Sequence, residues 1–274
     1  MRFILQKVDK RYLVKIVTVL LIIFSMICEV QYSAIASGET KTLVSGSMTS
    51  YQLQDEVEKS LSENSTDGTF GSNQSIGCNV SELIDAINYA NSNPGPDVIE
   101  LSSECKYEPT SLAYTGTGYE SSAFPAIISE ITINGNNATL LHEHNKGEPY
   151  MRAFVVKDGG IFRLNNLSII GFIGETVGGA IWHRSGTLII NNSYFSKNLG
   201  GLIGGAIASS GSLTIKNSTF FDNIGGAIYG GDMQISNSIF IENHTKGYGG
   251  AIEVGSKGEA IIYNSTFYQN IASG

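Results

Sequence analysis

The chain is short of positive charge, cysteine and tryptophan: 274 residues carry 17 Lys+Arg against 25 Asp+Glu, three Cys and one Trp. The acid excess speaks against nucleic acid as a partner, because a negative surface repels a phosphate backbone. Long apolar runs are missing too. The longest, Ile16 to Ile27, has twelve residues, too few to span a bilayer comfortably. No helix-length apolar pattern follows residue 90. Three cysteines leave room for at most one disulfide.

The basic start (Arg2, Lys7, Lys10, Arg11, Lys15), the apolar run and AIAS with Ala34 and Ala36 describe a signal peptide over 1–36. An uncleaved N-terminal anchor is the alternative. Ile27 ahead of Cys28 does not suit a lipoprotein site, which wants a small residue there. Cleavage after Ala36 leaves 12 basic against 23 acidic residues, a net charge of −11. It also leaves two cysteines, Cys78 and Cys105, which in an exported chain read as one disulfide. Residues 37–76 are rich in Ser, Thr, Gly and Asn and read as a mostly disordered linker.

Order is expected from 77 onward. Asn79 followed by Glu82 is an N-terminal capping signature. Val80, Leu83, Ile84 and Ile87 form one apolar stripe at helical spacing. NPGPD then ends the helix, and a strand starts near Val98. Residues 77–130 therefore read as a cap helix and a first irregular coil, and 131–274 as repeats.

The repeats are explicit. GGAI occurs at 178–181, 204–207, 225–228 and 249–252, in steps of 26, 21 and 24 residues. Each copy is followed by Asn-Ser-x-Phe-x-x-Asn, opening at Asn192, Asn217, Asn237 and Asn264. Periods in the twenties mark solenoids. The residues four and two before the opening Asn are apolar (Leu188 and Ile190 in the first copy), so they share one strand face. After the Asn the unvarying Ser and Phe (Phe195, Phe220, Phe240, Phe267) face in, and the variable residue between them faces out. The phase flips at the Asn, which makes it a corner, a place where Asn tolerates left-handed backbone. The glycine pairs Gly178-Gly179, Gly204-Gly205, Gly225-Gly226 and Gly249-Gly250 suit a second corner where a Cβ would clash. Like residues then stack on like at ~4.8 Å, giving an all-β parallel β-helix. Leucine-rich repeats are excluded by the missing Leu-x-x-Leu-x-Leu spacing, and propeller blades by length.

GGAI alternating with Phe-x-x-Asn over 178–274 resembles the polymorphic outer membrane protein repeat of chlamydial autotransporter adhesins and other adhesin-like surface proteins. The stretch from Cys78 through AINYANSNPGPDVIELSSECKYEPT to ITINGNNATL resembles the N-terminal part of secreted right-handed β-helix proteins of the pectin-lyase-like class. These resemblances imply a right-handed helix with an N-terminal capping α-helix and a secreted or cell-surface location. The expected function is non-catalytic adhesion, with carbohydrate or a surface protein as partner and no cofactor. Autotransporters end in a membrane barrel. This sequence stops at NIASG with no capping stretch, so a downstream part is expected, and membrane attachment would need that part or an uncleaved signal. A solenoid needs a distinct cap.

Pectin-lyase-like folds also host polysaccharide lyases and hydrolases, which is the alternative function, with a site in the loops near 105–125 and 142–152. The hydrolase signatures Asn-Thr-Asp, Asp-Asp, Gly-His-Gly and Arg-Ile-Lys are all missing, so no catalytic residue is assigned. A shared fold does not carry a shared function. Asp222 and Glu242 fall five residues after their opening Asn, in a column with Lys197 and Gln269. They are candidates for sharing a calcium ion, and a solvated outer column is the plainer reading. His142 and His144 lack a third ligand nearby. Trp182 occupies the slot of Ala208, Tyr229 and Glu253, an outward position from which a ring can stack on a ligand. Sequons at Asn217 and Asn264 coincide with corners, which accounts for them without glycosylation. Asn64, in the linker, is the better acceptor.

Overall fold

The computed structural model describes residues 72–93, 95–143 and 150–274. The expected signal peptide, most of the linker, Asn64 and His144 lie outside them. Within this range no helix is long and apolar enough to cross a membrane.

The described chain is a parallel β solenoid. Its main column stacks eight segments in register: Asn73–Ile76, Asp97–Leu101, the first half of Glu130–Leu141, the first half of Ile161–Ile170, Thr187–Asn191, Ser212–Lys216, Met233–Ser236 and Ala260–Tyr263. Past the Asn corner a second column runs from Lys106–Tyr107 to Thr266–Tyr268. A third sheet stacks Phe154–Val156, Ile181–His183, Ile207–Ser209, Ile228–Gly230 and Ile252–Val254. Every one of these pairings is parallel, because each coil lays the same short strand beside its predecessor.

The first strand corrects the linker boundary. Residues 73–76, assigned to the low-complexity stretch by composition, pair with 98–101. Four residues have too little hydrophobic content to announce a strand. What orders them is a parallel ladder with a partner that follows the helix.

That helix, α1 (Val80–Ser92), buries Leu83, Ala86, Ile87 and Ala90 in the same core as the strands. Asn79 caps it by accepting from Ser81 N–H at 2.9 Å. Glu82 reaches back to Gly77 N–H at 2.8 Å, two residues before the position a capping box would use. Cys78 and Cys105 are bonded, with Cα atoms 5.2 Å apart. The bridge ties the start of α1 to the coil beneath, where Tyr107 also donates to Gly77 O at 2.8 Å. Opening this loop of 27 residues should cost roughly 3–4 kcal/mol in the chain-entropy model. A denaturant midpoint unchanged by reductant would refute that.

Both kinds of corner have the expected backbone. Asn166, Asn192, Asn217, Asn237 and Asn264 have φ of 50–51°. The glycine corner divides its labour. Gly178, Gly204 and Gly249 take φ of 57°, 63° and 65°. A Cβ on Gly179 or Gly205 would run into the backbone of the next coil, at the carbonyl oxygens of Gly205 and Gly226 respectively.

Inside, like stacks on like. Phe195, Phe220, Phe240 and Phe267 have ring centroids 5.0, 5.0 and 4.9 Å apart, within 7° of parallel. The Ser column donates each hydroxyl to the carbonyl two residues earlier and accepts the N–H of the Ser one coil before. The last Asn of each block supplies an internal ladder. Asn198, Asn223 and Asn243 are wholly buried, and each passes its side-chain N–H to the carbonyl oxygen of the next Asn, ending at Asn270.

Candidate functional site

The middle residues of the third sheet, Val155, Trp182, Ala208, Tyr229 and Glu253, share one register row, in which Trp182, Tyr229 and Glu253 are half-buried and Val155 and Ala208 buried. The slot inferred for Trp182 is therefore correct. Its surroundings come from elsewhere in the chain. Between Tyr107 and Ile127 the coil makes an antiparallel hairpin, Tyr114–Thr115 with Ser121–Ser122. The hairpin is fastened to the sheet through a Ser122–Arg152 bridge and an Ala123 N–H to Arg152 O bond of 2.8 Å. This places Tyr114 and Glu120 beside Arg152, Lys157, Trp182 and Arg184.

The patch is held by charge and π contacts. Glu120, whose side chain is 5% exposed, pairs with Arg184 and lies 3.7 Å from Lys157. It also accepts from Tyr114 Oη at 3.1 Å. Lys157 donates to the same hydroxyl at 3.3 Å, and that hydrogen bond holds the ammonium above the usual lysine range. Two guanidinium groups lie over the Trp182 ring, Arg152 at 4.8 Å and Arg184 at 5.2 Å from its centroid. Arg152 is 1% exposed, and burial pushes its guanidinium down to about 10, opposed by the charge of Glu175. Among the described residues its Nε and Nη1 have no hydrogen-bond partner. Three cations thus gather on a chain whose overall balance is acidic.

The indole differs from a free stacking platform, since two cations already cover it. Asp222 and Glu242 do sit on successive coils, with Asp222 N–H bonded to Ile241 O at 3.0 Å. Both are corner residues, with φ of 52° and 54°. Asp222 Oδ1 lies 3.9 Å from His244 Nδ1. Among the described residues no group of three His, Cys, Asp or Glu could hold a metal. His142 packs against Phe172, with ring centroids 5.7 Å apart.

Sequence reading missed Arg152, Arg184, Lys157, Glu120 and Tyr114. Arg184, two residues after the lone Trp, was the one local hint. It also missed His183, which is buried with Nδ1 2.8 Å from Ser209 Oγ. Desolvation pushes this imidazole down from 6.5 to about 4, opposed by the nearby backbone of Ser185 and Gly186. In the unfolded chain the ring takes a proton at higher pH than in the folded one. Stability present above pH 6.5 is therefore lost as pH falls toward 4, by about 3 kcal/mol in full. Chemical denaturation at pH 7 and pH 4.5 checks this. A wild-type loss no greater than that of His183→Gln would refute it.

Comparison with protein-family models, with characterised proteins and with solved structures found no match.

Proposed function

We propose that this chain is a right-handed parallel β-helix with coils of ~21–26 residues, a period typical of repeat solenoids. We read it as exported to the cell surface or the extracellular space, where it binds carbohydrate or another surface protein without catalysis. The right hand follows the rule that nearly all parallel crossovers obey. One observation carries the binding reading: the hairpin of Tyr114–Ser122 and Arg152 converge on the flank of the third sheet, where Trp182, Lys157 and Arg184 stand. Solenoids present extended faces of this kind to partners.

A polysaccharide lyase or hydrolase is the second reading. It is favoured because residues from both loops that it requires, 105–125 and 142–152, meet at this patch. Against it, Glu120 is tied up by Arg184, Lys157 and Tyr114, whereas a hydrolase needs two carboxyl groups free for acid and base or nucleophile roles.

The purified full chain should bind a defined member of a glycan array or an extracellular-protein array, and Arg184→Glu should abolish that hit. Hits indifferent to Arg184→Glu would sink the patch as the binding surface. Release of unsaturated sugars from pectate, polygalacturonate or alginate would establish the enzyme instead.

A further inference from the structure

We propose that Arg152 is the receptor for a single carboxylate group brought in by a ligand. A guanidinium carries five N–H donors and no acceptor, and a buried charge is tolerated when it is paired and hydrogen-bonded. Arg152 is 1% exposed, yet among the described residues its Nε and Nη1 meet no acceptor. Its stabilising contact is the face of Trp182, 4.8 Å away, which offers attraction for the charge but nothing to the two N–H groups.

The same patch shows what fills such a position. Arg184 lies over the same indole, and it is satisfied by a carboxylate, Glu120. Lys157 and Tyr114 converge on that same carboxyl group. Glu120 is committed to those partners, and Glu175 reaches Arg152 as a charge without a hydrogen bond. The cluster therefore holds one more guanidinium than it has carboxylates bonded to guanidinium. A second carboxylate, bonded to Arg152, completes the symmetry of the two arginines about Trp182.

Burial narrows the ligand further. The two nitrogens are shielded, so a slim planar anion suits them better than a tetrahedral sulfate. A neutral sugar is disfavoured because both guanidinium groups already occupy the indole. This proposal rests on the reading of the flank as a recognition surface, but the test needs no biological partner.

The test is a ligand titration of the full chain at constant ionic strength, read by the thermal midpoint and by saturation-transfer NMR. Acetate stands for a free small carboxylate, and N-acetylglutamate for one carried on a larger body. Chloride and sulfate are the comparison anions. The expected result is a saturating rise in midpoint with acetate, as for any ligand that binds only the folded state. It should vanish in Arg152→Met and survive in Thr214→Ser on a different sheet. A parallel response to N-acetylglutamate supports a site open to ligand-borne carboxylates; a response to acetate alone overturns the ligand-borne reading. Should Arg152→Met fail to fold, Arg152→Lys, which keeps a cation but lacks the guanidinium Nε and Nη1 donors, is the variant that must lose the saturating response. A linear, non-saturating response, an equal saturating response to chloride, or no transfer to acetate overturns the proposal. Failure here would leave the array result untouched, and an array failure would leave carboxylate binding standing.

Discussion

Phe220→Ala is expected to lower the unfolding free energy by about 3–5 kcal/mol, the usual range for deleting a buried Phe. Thr219→Ala, one residue away and half-buried on the outer face, should cost no more than about 1 kcal/mol, near the centre of ordinary point substitutions. Phe220 is wholly buried and lies between Phe195 and Phe240, each 5.0 Å away. Truncation removes both stacks and leaves a void that neither neighbour can fill, since each is fixed by its own coil. Offset stacking adds to the loss from area alone. Thr219 belongs to the same three-residue strand, Thr219–Phe221, but points the other way. Phe267, on the last described coil, provides an internal scale: it is 47% exposed and has one stacking neighbour. Phe267→Ala should therefore cost well under half of Phe220→Ala. Denaturant titrations of the three variants give the order. Equal losses at Phe220 and Thr219 would invalidate the assignment of inside and outside.

That assignment was legible from sequence because alternation about the Asn is strict in all four blocks. The left-handed corners at Asn192, Asn217, Asn237 and Asn264 were legible for the same reason. The corner at Lys197, Asp222, Glu242 and Gln269 was not, although these residues also take φ of 52–54°. Their side chains have nothing in common, so composition hid the turn and left two carboxylates that looked like a metal pair. Spacing held the missing signal. Inward residues stand three apart across the Asn corner, as Ile190 and Ser193 do, and three apart again between Phe195 and Asn198. A strand returns to the same face every two residues, so an interval of three demands a bend in either place.

The binding patch is a different case. Arg152 reaches Trp182, and Glu120 reaches Arg184, from excursions that obey no repeat, and nothing in their spacing specifies the meeting. The strand at 73–76 was hidden for a related reason, because its pairing partner lies beyond an entire helix. Local pattern reveals what each coil repeats. Contacts made by irregular insertions require the folded chain.

The second large effect is expected at Asn223, which the block motif displays but whose role only the folded chain reveals. Its carbonyl oxygen accepts the backbone and side-chain N–H of Asn198, both at 3.1 Å. Its side-chain nitrogen donates to Phe195 O at 3.1 Å and to Asn243 Oδ1 at 2.8 Å. Asn223→Ala orphans the backbone N–H of Asn198 and one of its side-chain N–H groups in a site sealed from water. At roughly 1–3 kcal/mol for each unsatisfied group, the total should be about 3–6 kcal/mol. Asn217→Gly is the contrast, an exposed corner at φ of 51° where glycine enters the left-handed region freely. Its cost should be below about 1 kcal/mol, mostly added freedom of the unfolded chain. Asn223→Asp separates hydrogen bonding from shape, being nearly isosteric. At neutral pH it sets carboxylate oxygens against the Phe195 carbonyl and Asn243 Oδ1, and it buries a charge. The folded state then binds the carboxyl proton more tightly than the unfolded state, so the variant's deficit should shrink as pH falls. The quantity to follow is the difference from wild type between pH 7 and pH 4.5, which cancels the opposite trend from His183. A deficit that grows on acidification, or an Asn223→Ala loss no larger than that of Asn217→Gly, would mean that the ladder contributes little to holding the coils together.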